Sequence, residues 1–185
     1  MVLASASHLL LFSRRGTNPL PKTESSDATS FEHIALDQLE SAVVRRGVAY
    51  WNFLRGDRRF PPRAEVHPRD FVSLLKNVLL IRVLDGGADF EFRIVGDAQA
   101  QTYALSFSGK RLSDLRGTCP PYGYVLHGLF QHVTQFGEPI ALRGHFGAGF
   151  ANVKIAYCET AMLPLGTGEA VDHLIGFTAF VGNTV

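Results

Sequence analysis

Seven histidines and two cysteines are spread through this 185-residue chain without a metal-binding spacing. HExxH would set two imidazoles one helical turn apart and CxxC two thiolates on one turn, and neither pattern occurs. There is no GxSxG elbow, no P-loop and no dinucleotide fingerprint. Gly144-His145-Phe146-Gly147 reads as a strand end and a turn.

Three other groupings could carry chemistry. Residues 45–69 hold seven arginines against Asp57 and Glu65, a local charge of +5, with Trp51, Phe53 and Phe60 interleaved. Arg58 and Arg59 beside Trp51 and Phe60 could meet an acidic partner or a nucleotide; a salt-bridged linker with guanidinium groups over the rings is the alternative. Phe90, Phe92, Tyr103, Phe130, Tyr157 and Phe177 could surround a cavity between a sheet and its helices, or simply pack a core. At 100° per residue, Val125, Leu126, Leu129, Val133 and Phe136 share one face of a helix over 121–136. His132 falls at the edge of that stripe, while His127 falls opposite it and reads as solvated. Cys158 reads as a small buried hydrophobe. Glu159, in phase with Ile155 and Tyr157, is either an inward polar handle or, the favoured reading, a sign of a twist or bulge.

The elements that must position these residues follow from local patterns. The stretch Arg14–Ser30 is polar, and residues 1–29 read as a tail, since the apolar run Leu9–Phe12 is too short for a secretory signal. Thr29 and Glu32 fit a capping box opening a helix from about 30 to 55, with Leu36, Leu39, Val43, Gly47, Tyr50 and Leu54 on one face. Gly47 should weaken this helix and Gly56 end it. Pro68 can open a short helix through Leu75. Residues 78–84 (VLLIRVL) and 89–95 (DFEFRIV), joined across Asp85-Gly86, predict a hairpin with Phe90, Phe92 and Ile94 on one face. A short helix reaches Tyr103, the longer one runs to about Phe136, and strands follow at 140–146, 152–163 and 171–181. Five strands then form one sheet, and the helices between strands two and three cover one of its faces.

Composition narrows the class. Net charge is +1, so the arginine segment is offset by −4 elsewhere, and neither nucleic acid nor an anionic membrane is an expected partner. No run approaches 18 apolar residues. Two cysteines make no disulfide framework and suit a reducing, cytoplasmic setting.

The segments YWNFLRGDRRFPPRAEVHPRDFVSLLKNVLLIRVL (50–84), FEFRIVGDAQAQTYALSFSGKRLSDL (90–115), MLPL and VDHLIGF together resemble a PAS domain, in a bacterial single-domain subfamily with a helical lead-in. Ala104 departs from the glycine expected after the tyrosine. The resemblance implies an α+β fold: a PAS-like five-stranded antiparallel sheet with a helical insert between strands two and three, plus N-terminal helices. The division would be a disordered tail (1–29), a helical extension (30–76) and a PAS-like domain (77–182). It further implies a sensory or regulatory module without catalytic activity, which binds a small ligand or a protein partner and signals in trans. Ligand-lining residues would be Phe92, Tyr103, Phe130, His132, Tyr157 and Phe177. Haem on His132 is one option the resemblance raises, although a boundary histidine is favoured there. A flavin-reactive cysteine motif is missing around Cys119. The lead-in helix would dock on the sheet or pair with a second copy as a homodimer. The alternative from another class is a small cone-shaped α+β barrel enzyme, isomerase- or dehydratase-like, using an Asp–His pair on a hydrophobic substrate.

Overall fold

A computed structural model describes residues 30–103, 107–118, 120–145 and 155–182. Thr29, Ala104, Cys119 and the side chain of Tyr103 lie outside them. The elements are β1 (Ser30–Ile34), α1 (Ala42–Arg55), β2 (Val78–Leu84), β3 (Asp89–Val95), α2 (Asp97–Tyr103), α3 (Leu112–Thr118), α4 (Pro120–Phe136), β4 (Ile140–His145), β5 (Ile155–Thr167) and β6 (Ala170–Gly182). The fold is α+β, with one antiparallel sheet in the order β1-β4-β5-β6-β2-β3.

The sheet has six strands rather than five. Ser30–Ile34, expected to open a helix, pairs as an edge strand with β4, Ser30 opposite His145 and Ile34 opposite Ala141. The helix cap stands twelve residues beyond the proposed Thr29 cap, at Ser41, whose hydroxyl accepts from the Val44 N–H. The local pattern misleads here because Leu36 and Leu39 lie in the turn before α1, outside the helix. Pro68 does open a helical segment, Pro68–Asn77, which is 3-10 in character and broken at Phe71.

The hairpin forms as expected, and Asp85, Gly86 and Gly87 all take positive φ in its turn. One register detail differs. Leu80 faces Ile94 and Ile81 faces Phe92, so Arg93 is an extra residue in β3. Such a bulge reverses the alternation beyond it. Phe90 and Phe92 therefore pack on one face of the sheet, while Ile94 packs on the other.

Both faces of the sheet are covered. On one, α1 and Pro68–Asn77 bury Trp51, Phe60, Phe71 and Leu74 against Leu80, Ala161, Leu163, Leu165, Ile175 and Phe177. On the other, α3 and α4 bury Leu112, Leu115, Leu126, Phe130 and Val133 against Leu79, Ile81, Phe90, Phe92 and Met162. The apolar stripe of α1 is thus consumed within the chain. Gly47 is the reason the helix lies so close: a Cβ there would stand 2.2 Å from the Phe177 ring. The glycine that costs about 1 kcal/mol of helix propensity is what admits the Phe177 ring.

Gly47→Ala should lower stability by about 1–3 kcal/mol in urea unfolding. Combined with Phe177→Leu it should cost less than the sum of the two single changes; strict additivity would mean that the two residues do not meet.

Candidate functional site

Two places in this fold put polar chemistry inside apolar surroundings, and they sit back to back on β5. Along that strand Tyr157, Glu159, Ala161, Leu163 and Leu165 alternate toward α1, and Cys158, Thr160 and Met162 toward the insert helices.

On the α1 side, Glu159 is 2% exposed. Its Oε2 accepts from the Glu40 N–H at 3.0 Å and its Oε1 from the Ser41 N–H at 2.8 Å. A carboxylate placed there without donors would be costly, and the N-terminus of a helix is where backbone donors stand free. Glu159 pairs in register with Arg143 and Ala179, with no bulge at this position, so it is an inward polar handle and the favoured reading from the sequence is corrected. Arg143 adds ion pairs to Glu32 on β1 and to Glu40. Three strands and a helix start are thus tied at one point.

On the insert side, a cavity of about 50 Å³ lies between the sheet and α2 and α4. Leu79, Leu126, Leu142 and Met162 supply its apolar walls, while Phe31 and the partly exposed Val125 stand among its outer residues. Its polar atoms come from Gln99, Thr160 and Thr178. The two hydroxyls share a hydrogen bond at 2.8 Å, which uses one of their two protons and leaves the other available. Gln99 is 2% exposed, yet its Nε2 has no hydrogen-bond partner. An amide donor buried without a partner is rare enough to require an explanation. Asn77 ties this wall to the first face, donating its Nδ2 to the Thr178 carbonyl at 2.7 Å.

The residues expected to line a ligand site are not brought together. Phe92 and Phe130 meet at 6.2 Å between centroids but belong to solid core, with Phe90 against Phe130 at 5.3 Å. Phe177 points to the opposite face, under Gly47. Tyr157 is half-buried beside His145 at a surface cleft. His132 stacks on Phe136 at 4.7 Å and is not among the cavity-lining residues. His127, read as solvated, sits edge-on to Phe90 and its Nε2 lies 3.3 Å from the Ala88 carbonyl. Gln99, Thr160 and Thr178 were missed. The one available signal was their polarity among apolar neighbours, and a glutamine in a short helix carries little.

The arginine segment is largely structural. Trp51 and Phe60 are buried, with the Trp51 Nε1 donating to the Pro164 carbonyl at 2.8 Å. Arg58 makes a bidentate pair with Glu65, at 2.8 and 2.7 Å, and caps α1 by donating to the Leu54 and Arg55 carbonyls. Arg59 caps α4 through the Phe136 carbonyl and pairs with Glu169. The cation–ring geometry read as the alternative is present: Arg55 lies 5.2 Å from the Trp51 ring and Arg59 5.8 Å from that of Phe60.

Among the described residues no cluster of His, Cys, Asp and Glu could hold a metal ion, and no helix is long and apolar enough to cross a membrane. Cys158 is buried, and its desolvation, with the Glu159 charge adding, pushes the thiol pKa up to about 12.

Residues 39–118 match the family model of a PAS domain. The match runs from the start of α1 to the end of α3, and the observed order of strands and insert helices is consistent with a PAS-like fold. No curated protein and no solved structure matches the chain.

Glu159→Ala should cost about 2–4 kcal/mol, because two backbone donors lose their acceptor, and should speed amide exchange at Glu40 and Ser41 first. A raised thiol pKa means the folded chain holds its proton longer than the unfolded one. Cys158 therefore contributes stability that is complete below about pH 8.5 and lost toward pH 12, by about 1.4 kcal/mol per pH unit. Cys158→Ala should flatten that alkaline decline in urea titrations; an unchanged slope would assign it to other groups.

Proposed function

We propose that this PAS-matched chain is a sensory or regulatory module which reads a small uncharged molecule in the Gln99–Thr160–Thr178 cavity and passes the signal to a partner protein in trans. In this reading residues 77–182 are the sensing unit, and residues 30–76 are the extension, which adds the edge strand β1 and a layer on the far face of the sheet.

The observation behind the ligand is the buried, unpartnered Nε2 of Gln99, a residue that lines the cavity beside Thr160 and Thr178. Together with the spare hydroxyl proton, it offers two donors to one acceptor atom. Among the described residues no arginine, lysine or histidine lines the cavity, so a carboxylate or phosphate would be desolvated without a countercharge from them. A carbonyl or hydroxyl oxygen on a compact apolar body suits these walls. The volume holds a few non-hydrogen atoms, far below the 300–1,000 Å³ typical of drug-sized ligands. Haem does not fit this space, and His132 does not face it. The barrel-enzyme reading needs an Asp–His pair in the cavity, and among the described residues neither type lines it.

For the partner, Trp51 and Phe60 would have to leave the core to make contact. Arg58 and Arg59 are the accessible part of that surface, about half exposed and already paired.

Acetone and acetate, alike in size and different in charge, separate the possibilities. In amide-detected NMR titrations of the full chain, acetone should shift the Gln99 side-chain amide and the Thr160 and Thr178 signals, while acetate should not. With four heavy atoms the affinity can be no tighter than tens of micromolar. Gln99→Leu should abolish the acetone response while keeping the fold; shifts that persist in this variant would sink the reading.

A further inference from the structure

We infer that the outer face of the layer formed by α1 and Pro68–Asn77 docks an acidic segment of the partner protein, one that carries apolar side chains among its carboxylates. The inference rests on the reading of a partner in trans and gives that partner its chemistry and its contact surface.

The two elements lie side by side. Arg46 Nη2 donates to the Ser73 Oγ at 2.8 Å, the Tyr50 and Phe71 rings stand 5.0 Å apart, and the Tyr50 hydroxyl accepts from the His67 N–H at 3.2 Å. Their inward residues are spent on the core: Val44, Gly47, Val48 and Trp51 from the helix, Phe71, Leu74 and Asn77 from the segment. Outward stand Arg45, Arg46 and Phe53 on α1 and Arg69, Val72 and Lys76 on the segment, all exposed.

Positive charge on this face is uncompensated. Arg58, Arg59, Arg82, Arg93 and Arg143 each meet a carboxylate. Among the described residues Arg45, Arg46, Arg69 and Lys76 form no ion pair; Arg45 and Arg46 reach only the Leu39 carbonyl and the Ser73 hydroxyl. The carboxylate of the segment, Asp70, is engaged by the Tyr50 hydroxyl. Among these cations Phe53 is 83% exposed, the highest value of any large apolar side chain described, and Val72 is 64% exposed. Guanidinium forks match carboxylates two bonds at a time, and arginine with an aromatic ring is the composition enriched at protein interfaces. The net charge of the chain is only +1, so its other faces offset this one. A long polyanion or an anionic bilayer would extend past the patch and meet that offset, whereas a short acidic segment would not.

The probe is a fluorescein-labelled helical peptide with leucines on one face and glutamates flanking them, followed by fluorescence anisotropy with the full chain. Binding should weaken at least tenfold in the double variant Arg69→Glu, Lys76→Glu and about fivefold in Phe53→Ser. Melting temperatures should stay unchanged, because these side chains are exposed and hold no ion pair. Lys76→Glu alone should weaken binding, while Lys110→Glu, the same change in net charge beside β3, should not. Equal binding by Lys76→Glu and Lys110→Glu, or a peptide left free by the wild type, overturns the inference. So does tighter binding of phosphatidylcholine–phosphatidylglycerol vesicles or of duplex DNA than of the peptide, which would assign the face to lipid or nucleic acid. The acetone titration reads the cavity and ignores this face, so failure of the ligand reading and failure of this one show separately.

Discussion

The structure is organised around a carboxylate in an apolar layer. Glu159 keeps its place because the chain before α1 delivers two backbone N–H groups to its oxygens. Neither side of this arrangement is stable alone. The carboxylate would be stranded among Ala161, Leu163 and their neighbours, and the entrance to α1 would leave donors unmet. The positive end of the helix also faces the negative charge. The contact sets where α1 starts, and so which residue lies over Phe177. Gly47 must be that residue, six positions beyond Ser41, because no other would clear the ring. Arg143 extends the same tie to β1. What looked like a separable helical lead-in is thus part of the sheet's own packing.

The strand carrying this tie also walls the cavity. Cys158 and Thr160, on either side of Glu159, face the insert helices. The Thr178 hydroxyl lies in the cavity while its carbonyl accepts from Asn77 at the end of the lead-in. The two layers nevertheless differ in character. The α1 side is filled by Trp51, Phe60, Phe71 and Phe177. The insert side is solid near Phe90, Phe92 and Phe130 and hollow toward β4 and β5, where threonines and a glutamine replace bulk.

Much of the architecture was legible in the residues. The hairpin from 78 to 95, the helix through Phe136 and the opening at Pro68 rest on alternation, turn residues and proline geometry, which act over a few positions. The site was far less legible. Phe92, Phe130 and Phe177 were grouped as large aromatics near one sheet, but the parity of β6 puts Phe177 on the opposite face. Glu159 read as an irregularity because its partners lie about 118 positions earlier in the chain. The Arg93 bulge left Phe90 and Phe92 together and moved Ile94 away, a change no alternation pattern contains.

The sequence by itself determined the class of fold, the order of its strands and helices over 78–182, and the balance between a basic segment and an acidic remainder. These follow from side-chain volume, backbone preference and charge, which each residue carries wherever it sits. Only the tertiary structure decided that residues 30–34 join the sheet, that Trp51 and Phe60 turn inward, and that Gln99, Thr160 and Thr178 converge. Pairing at a sheet edge, burial and an unmet hydrogen bond are properties of neighbours distant in sequence. The polar groups of the site became recognisable once the fold had removed the water around them.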